Sequence, residues 1–219
     1  MIWMMKIDEV MTMKIGWIGT GIMGASMAGH LQFAGHELSL YSRTRDKAKP
    51  LIDRGGHWCP SPAAVAADTE VVFTMVGMPS DVEETYLGPQ GILAAEAKCR
   101  IVVDMTTSEP ALARRIAKAA VKKGIFSLDA PVSGGDVGAR NATLAIMVGG
   151  DRKIYDEVLP LLQHMGKTIA WMGGPGAGQH TKMCNQILIA GTIIGVCESL
   201  LYAEKAGLDM QAVIDIIGK

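Results

Sequence analysis

Three glycines stand at G-x-G-x-x-G spacing in Gly19-Thr20-Gly21-Ile22-Met23-Gly24. The apolar run Lys14-Ile-Gly-Trp-Ile-Gly19 precedes them, and the stretch Ile22 to Ala34 follows, with Gly35 as its stop. This pattern predicts a short buried strand, a tight turn and a helix. In such a turn the first glycine permits a sharp exit from the strand. The second lets the backbone approach a pyrophosphate, and the third lets helix and strand pack closely. Phosphates then sit at the helix N-terminus, where unpaired N–H groups and the dipole favour anions. Gly19, Thr20, Gly21, Ile22, Met23 and Gly24 are therefore expected to bind a dinucleotide. An incidental glycine-rich turn is the alternative, and the strand–turn–helix context argues against it.

The end of the second strand decides which dinucleotide. A chain that binds NAD ordinarily places an acid about twenty residues beyond the loop, to hold the ribose 2′-OH. Here the sequence is Tyr41-Ser42-Arg43-Thr44, with no acid between the strand and Asp46. Arg43 can pair with a 2′-phosphate while Ser42 and Thr44 donate hydrogen bonds. NADP(H) is thus favoured, with NAD possible; the bland alternative is that Arg43 is a solvated helix-start residue.

These residues need a frame. Glu37–Tyr41, Val71–Val76, Ile101–Asp104, Ile125–Asp129, Leu144–Val148 and Thr168–Trp171 read as further strands. Asp46–Arg54, Pro110–Lys123 and Asp151–Met165 read as helices. Strands alternating with helices predict an α/β fold of Rossmann type, a mostly parallel sheet with helices on both faces. The texture changes after Gly173-Gly-Pro-Gly-Ala-Gly178. One long helix is expected from Gln179 to about Ala206, and another from Asp209. The organisation expected is an N-terminal extension over residues 1–12, a dinucleotide-binding domain over 13–178, and the start of an all-helical domain over 179–219.

Four segments carry polar or glycine residues where strands end. They are Val76–Ser80, Asp104–Ser108, Asp129–Gly135 and Gly174–Gln186. Ligands of open α/β sheets bind beyond the carboxyl ends of the strands, so these segments can converge. Together with the glycine loop they resemble the β-hydroxyacid dehydrogenase family, which includes 3-hydroxyisobutyrate dehydrogenase, tartronate semialdehyde reductase and the glyoxylate/succinic semialdehyde reductases. The resemblance runs from Lys14 to the chain end. It implies that Asp129-Ala-Pro-Val-Ser133-Gly134-Gly135 holds the substrate carboxylate through Ser133, Gly134 and Gly135. It implies that Lys182 is the catalytic acid/base and that Asn185 orients the substrate. It also implies that Val76, Met78, Pro79 and Thr107 lie along the ribose and nicotinamide. Spacing agrees with the assignment, because residues 182 and 185 share a face of a helix. The family ordinarily continues through more helices, so a C-terminally truncated chain is expected.

Bulk properties exclude other classes. A formal net charge of -1 gives no electrostatic case for nucleic acid or an anionic membrane. The four cysteines form no CxxC pair, which points to reduced thiols and a cytoplasmic chain. Met1 to Thr12 makes a poor signal peptide, since Lys6, Asp8 and Glu9 interrupt it. Ile187 to Leu201 is apolar but short for a membrane span and contains Glu198; it reads as a helix that two copies of the chain bury against each other. Its Gly191-x-x-x-Gly195 spacing would let another helix approach closely. No metal-ligand spacing is visible, and Ser133 has no evident His/Asp partners. The expected function is hydride transfer between NADP(H) and a small 3-hydroxy acid or semialdehyde. The rival is a dinucleotide-binding module with little or no turnover. Reduction of imines is disfavoured because relatives of that kind often lack the lysine found here at 182.

Overall fold

The computed structural model describes residues 12–94 and 97–218. Residues 1–11 of the expected N-terminal extension lie outside the described residues. The chain runs β1 (Lys14–Ile18), α1 (Ile22–Phe33), β2 (Glu37–Tyr41), a 3-10 turn (Arg45–Ala48), α2 (Lys49–Ile52), β3 (His57–Trp58), α3 (Pro62–Ala66), β4 (Val71–Thr74) and α4 (Pro79–Leu87). It continues β5 (Ile101–Asp104), α5 (Pro110–Val121), β6 (Phe126–Asp129), β7 (Val132–Ser133), α6 (Gly135–Arg140), β8 (Leu144–Gly149), α7 (Arg152–Gln163), β9 (Gly166–Gly173), α8 (Ala177–Lys205) and α9 (Met210–Ile217).

The strands lie in the order β3-β2-β1-β4-β5-β6-β8-β7, with β9 pairing β8. Strands β1 to β6 are mutually parallel, β8 runs antiparallel to β6 and β7, and β9 is parallel to β8. The run 3-2-1-4-5-6 is the doubly wound order, in which the direction of crossover reverses between β1 and β4. Helices cover both faces, which is why β4 (VVFT) and β5 (IVVD) are buried at every position. Alternation along the strands sorts the core into two layers. Ile15, Trp17, Phe73 and Val103 belong to one cluster, and Ile18, Val72 and Val102 to the other.

Helix α7 shows how the local sequence sets an element. The Asp151 carboxylate caps it by accepting from the N–H groups of Lys153 and Ile154. Ile154, Tyr155, Val158, Leu161 and Leu162 then form one buried stripe.

Several elements differ from expectation. The helix expected over Asp46–Arg54 is a 3-10 turn followed by the four-residue α2, because Pro50 lacks the N–H that would continue the first turn. Residues 57–66, 79–87 and 132–140, for which the sequence pattern gave no element, contain β3, α3, α4, β7 and α6. These short pieces carry weak local signals and form against neighbours already in the sheet.

The chain divides into two compact units, one ending at Lys182 and the other beginning at Met183. In the second unit the apolar side chains of Ile187, Leu188, Ile193, Ile194 and Tyr202 are exposed. Within that unit nothing comes within 4 Å of a Cβ built on Gly191 or Gly195. Among the described residues, α8 is long and apolar enough to cross a membrane by length and composition.

Candidate active site

The glycine loop joins β1 to α1 under steric pressure from two sides. Gly19 has φ +95, and a Cβ there would sit 2.1 Å from the Met75 carbonyl oxygen. A Cβ on Gly24 would sit 2.0 Å from the Gly19 carbonyl oxygen. Beneath the loop the Trp17 indole N–H donates to that same carbonyl at 2.9 Å. Gly21 differs, because nothing lies within 4 Å of the position its Cβ would take. It is the N-cap of α1, has no side-chain cap, and no acid stands in the first turn. The helix N–H groups therefore open onto space that suits an anion. Beside them the Thr20 hydroxyl is buried without a hydrogen-bond partner. A pyrophosphate fits this arrangement, and the residues present suit a dinucleotide.

A groove of about 580 Å3 runs along this end of the sheet. It is lined by Gly19, Gly21, Ile22, Met23, Gly24, Ser42, Arg43, Thr44 and Val76 among others. The expected residues thus converge, except four. Thr20 is buried behind the loop, Met78 is exposed, Pro79 opens α4, and Thr107 is exposed beyond β5; none of these lines the groove. The buried neighbour Thr106 ties two loops together by accepting from the Val76 N–H at 3.0 Å.

The Arg43 side chain is largely exposed, yet it is paired. Its guanidinium grips the Asp81 carboxylate with two hydrogen bonds, at 2.8 Å and 3.4 Å. Asp81 also caps α4 by accepting from the Met78 N–H at 2.9 Å. Both partners line the groove, so the pair spans it from the end of β2 to α4.

The second half of the site lies where β5, β6 and β7 end. Lys182 is 7% exposed, and its Nζ donates to the Ser133 hydroxyl at 2.8 Å. Burial pushes its pKa below the ordinary lysine value. Ser133 ends β7, and Gly134 and Gly135 follow with φ +128 and +61 as α6 begins. Both glycines are exposed. Asn185 stands three residues after Lys182 in α8, within the second unit.

Two buried carboxylates hold this corner. Asp129, at the end of β6, accepts from the N–H groups of Gly176 at 2.7 Å and Gln179 at 2.8 Å, and so caps the start of α8. Burial raises its pKa, against the pull of those N–H donors. Asp104, at the end of β5, accepts from the Thr74 hydroxyl at 2.9 Å and the Thr106 N–H at 3.0 Å. Burial pushes Asp104 up to about 6. His180 points away from this corner and meets Arg114 on the surface, at 3.2 Å. Asp81 is a polar group of the site that the sequence pattern did not single out, whereas Asp104, Thr106 and Gln179 lie in the segments expected to converge but had no partner assigned to them. Each acts through a partner far away in the chain, and burial of a polar side chain leaves no local signature. Among the described residues no group of three or more His, Cys, Asp or Glu side chains is placed to hold a metal.

Fold and site together define a Rossmann-type dinucleotide-binding protein with a buried lysine at the end of its sheet. Residues 14–173 match a family described as the NAD-binding domain of 6-phosphogluconate dehydrogenase. Residues 176–219 match one described as the NAD-binding part of NADP-dependent 3-hydroxyisobutyrate dehydrogenase. A 3-hydroxyisobutyrate dehydrogenase-like protein of Arabidopsis thaliana is 51% identical over 93% of this chain and 61% of its own length. The 2-hydroxy-3-oxopropionate reductase of Escherichia coli is 42% identical over 90% of this chain and 67% of its own. The solved structure of Mycobacterium tuberculosis 3-hydroxyisobutyrate dehydrogenase with L-serine superposes with a TM-score of 0.85 at 34% identity, covering 94% of this chain and 70% of that one. The chain belongs to the β-hydroxyacid dehydrogenase family of NAD(P)-dependent oxidoreductases. It spans roughly 61–70% of the length of these three relatives.

Proposed function

We propose that the chain transfers hydride between NADP(H) and a small 3-hydroxy acid or semialdehyde, with Lys182 as the acid/base. The observation that carries this reading is the buried Lys182 amine, 2.8 Å from the Ser133 hydroxyl and beside a loop of exposed glycines. When bound, the nicotinamide supplies or accepts the hydride.

The chain's own residues do the rest. Gly134 and Gly135 present backbone N–H groups in a positive-φ bend that suits a carboxylate. The Ser133 hydroxyl donates to the same carboxylate and accepts from Lys182. In reduction, the Lys182 ammonium gives a proton to the carbonyl oxygen. In oxidation, the neutral amine takes the hydroxyl proton. Burial lowers the lysine's pKa from its ordinary value, the direction that acid/base work by a lysine calls for. Asn185, carried over from the family pattern, orients the substrate.

The preference for NADP(H) rests on Arg43, Ser42 and Thr44 at the groove. The guanidinium that grips Asp81 offers two N–H groups on a flexible stem, and a 2′-phosphate is a stronger partner for them than a carboxylate across open solvent. Cytoplasmic location fits four free thiols. Self-association through α8 fits its exposed apolar side chains.

The test is NADPH oxidation followed by absorbance with glyoxylate, succinic semialdehyde, tartronate semialdehyde and methylmalonate semialdehyde, beside Lys182→Ala. Turnover should fall by about 10²–10⁴-fold in the variant, with NADPH affinity kept. NADPH binding without turnover in the native chain overturns the reading in favour of a cofactor-binding module.

A further inference from the structure

Gln179 has no exposure to solvent, which is uncommon for a glutamine. It stands one helical turn before Lys182, on the same side of α8. Its Oε1 accepts from the Ser108 N–H at 2.8 Å, and its Nε2 donates to the Thr106 carbonyl at 2.7 Å. Its own backbone N–H donates to Asp129 at 2.8 Å. One residue therefore joins the loop after β5, the end of β6 and the first turn of α8. Ser133, the partner of Lys182, lies only four residues beyond Asp129. Both members of the Lys182–Ser133 pair thus hang from segments that Gln179 links.

We propose that Gln179 is a positioning residue, which holds the Lys182 amine against Ser133 and out of bulk water. The proposal rests on the reading of Lys182 as the acid/base, but its geometry does not. A primary amide suits the task because it donates and accepts in fixed directions and carries no charge. A carboxylate could still accept from Ser108 but could not donate to Thr106. A thioether of similar length could replace neither bond and would leave two buried backbone groups without partners.

The test uses the full chain and its Gln179→Met and Gln179→Glu variants. Lysines are labelled by reductive methylation with formaldehyde and cyanoborohydride across a range of pH. Labelling of each peptide is read by mass spectrometry, alongside kcat, KM, NADPH affinity and thermal melting. In the native chain, Lys182 should label with a midpoint below the ordinary lysine value of 10.5. In Gln179→Met that midpoint should move up toward the ordinary value, with the labelling of exposed Lys118 as the internal reference. Turnover should fall by about 10–100-fold, with NADPH affinity within about twofold of native.

A folded variant whose Lys182 midpoint matches the native one overturns the proposal, even if its melting temperature falls. If Gln179→Met does not fold, Gln179→Glu carries the same comparison. If neither folds, Gln179 is a structural plug and the proposal fails. Labelling needs no turnover. A native chain that lacks turnover but shows the midpoint shift would therefore sink the proposed reaction and leave the positioning role standing.

Discussion

Gly21 and Gly24 belong to one motif, yet they face different things. A methyl group on Gly24 meets backbone at 2.0 Å, whereas one on Gly21 meets nothing within 4 Å. Gly24→Ala is therefore expected to destabilise the fold by about 2–4 kcal/mol, read as a lowered melting temperature. Gly21→Ala should melt like the native chain and bind NADPH about tenfold or more weakly, because its methyl group occupies the pyrophosphate approach. Equal melting temperatures for the two variants would refute this division. The Arg43–Asp81 pair makes a second prediction at this scale. Arg43→Ala should weaken NADPH by about 1.5–3 kcal/mol and NADH by much less. Asp81→Asn keeps an acceptor for the Met78 N–H but loosens the grip on Arg43, so it should tighten NADPH relative to NADH. Titration calorimetry with both cofactors decides it. Identical ratios in native and Asp81→Asn would mean Arg43 does not read the 2′-phosphate.

The ends of β5 and β6 set the chemistry of the corner where Lys182 sits, and both end in buried aspartates. Asp104 is fully buried and rises from 3.8 to about 6, so the folded chain holds this proton more tightly than the unfolded chain does. Stability from Asp104 is therefore complete below about pH 4 and is lost as pH rises through about 6, a difference of about 3 kcal/mol. Asp104→Asn keeps an acceptor for Thr74 and Thr106 and cannot ionise. Its melting temperature should gain several degrees on the native chain between about pH 4 and about pH 7. A gap that stays constant with pH would show that ionising Asp104 costs nothing. The strands that carry these acids, β5 and β6, were legible because Ile101–Asp104 and Ile125–Asp129 are short, mostly apolar runs of the right length. Elements β3, β7, α3 and α6 were not, since each spans only two to six residues and forms through its neighbours.

For the molecule as a whole, the two units differ in how they bury apolar surface. The first encloses a full set of strands. In the second, Ile187 is 74% and Tyr202 75% exposed. Such a surface is costly in water, and a second copy of the chain would cover it. Light scattering after size exclusion should give twice the chain mass, or a higher multiple. Substituting Ile187 and Leu188 by serine should shift the chain toward monomer. A monodisperse native monomer would remove the reason to expect self-association.

The sequence by itself determined the fold class, the position of the glycine loop and the long helix carrying Lys182. It could do so because each is written in local pattern: short apolar runs in strands, three glycines in six residues, an unbroken apolar helix. Tertiary structure alone decided which partners those residues take. Arg43 and Asp81 are 38 positions apart, Gln179 and Thr106 are 73, and Lys182 and Ser133 are 49. No local pattern encodes such pairs. They follow from the parallel sheet, which gathers the carboxyl ends of strands distant in sequence along one edge, where burial then alters the pKa values of Lys182, Asp104 and Asp129.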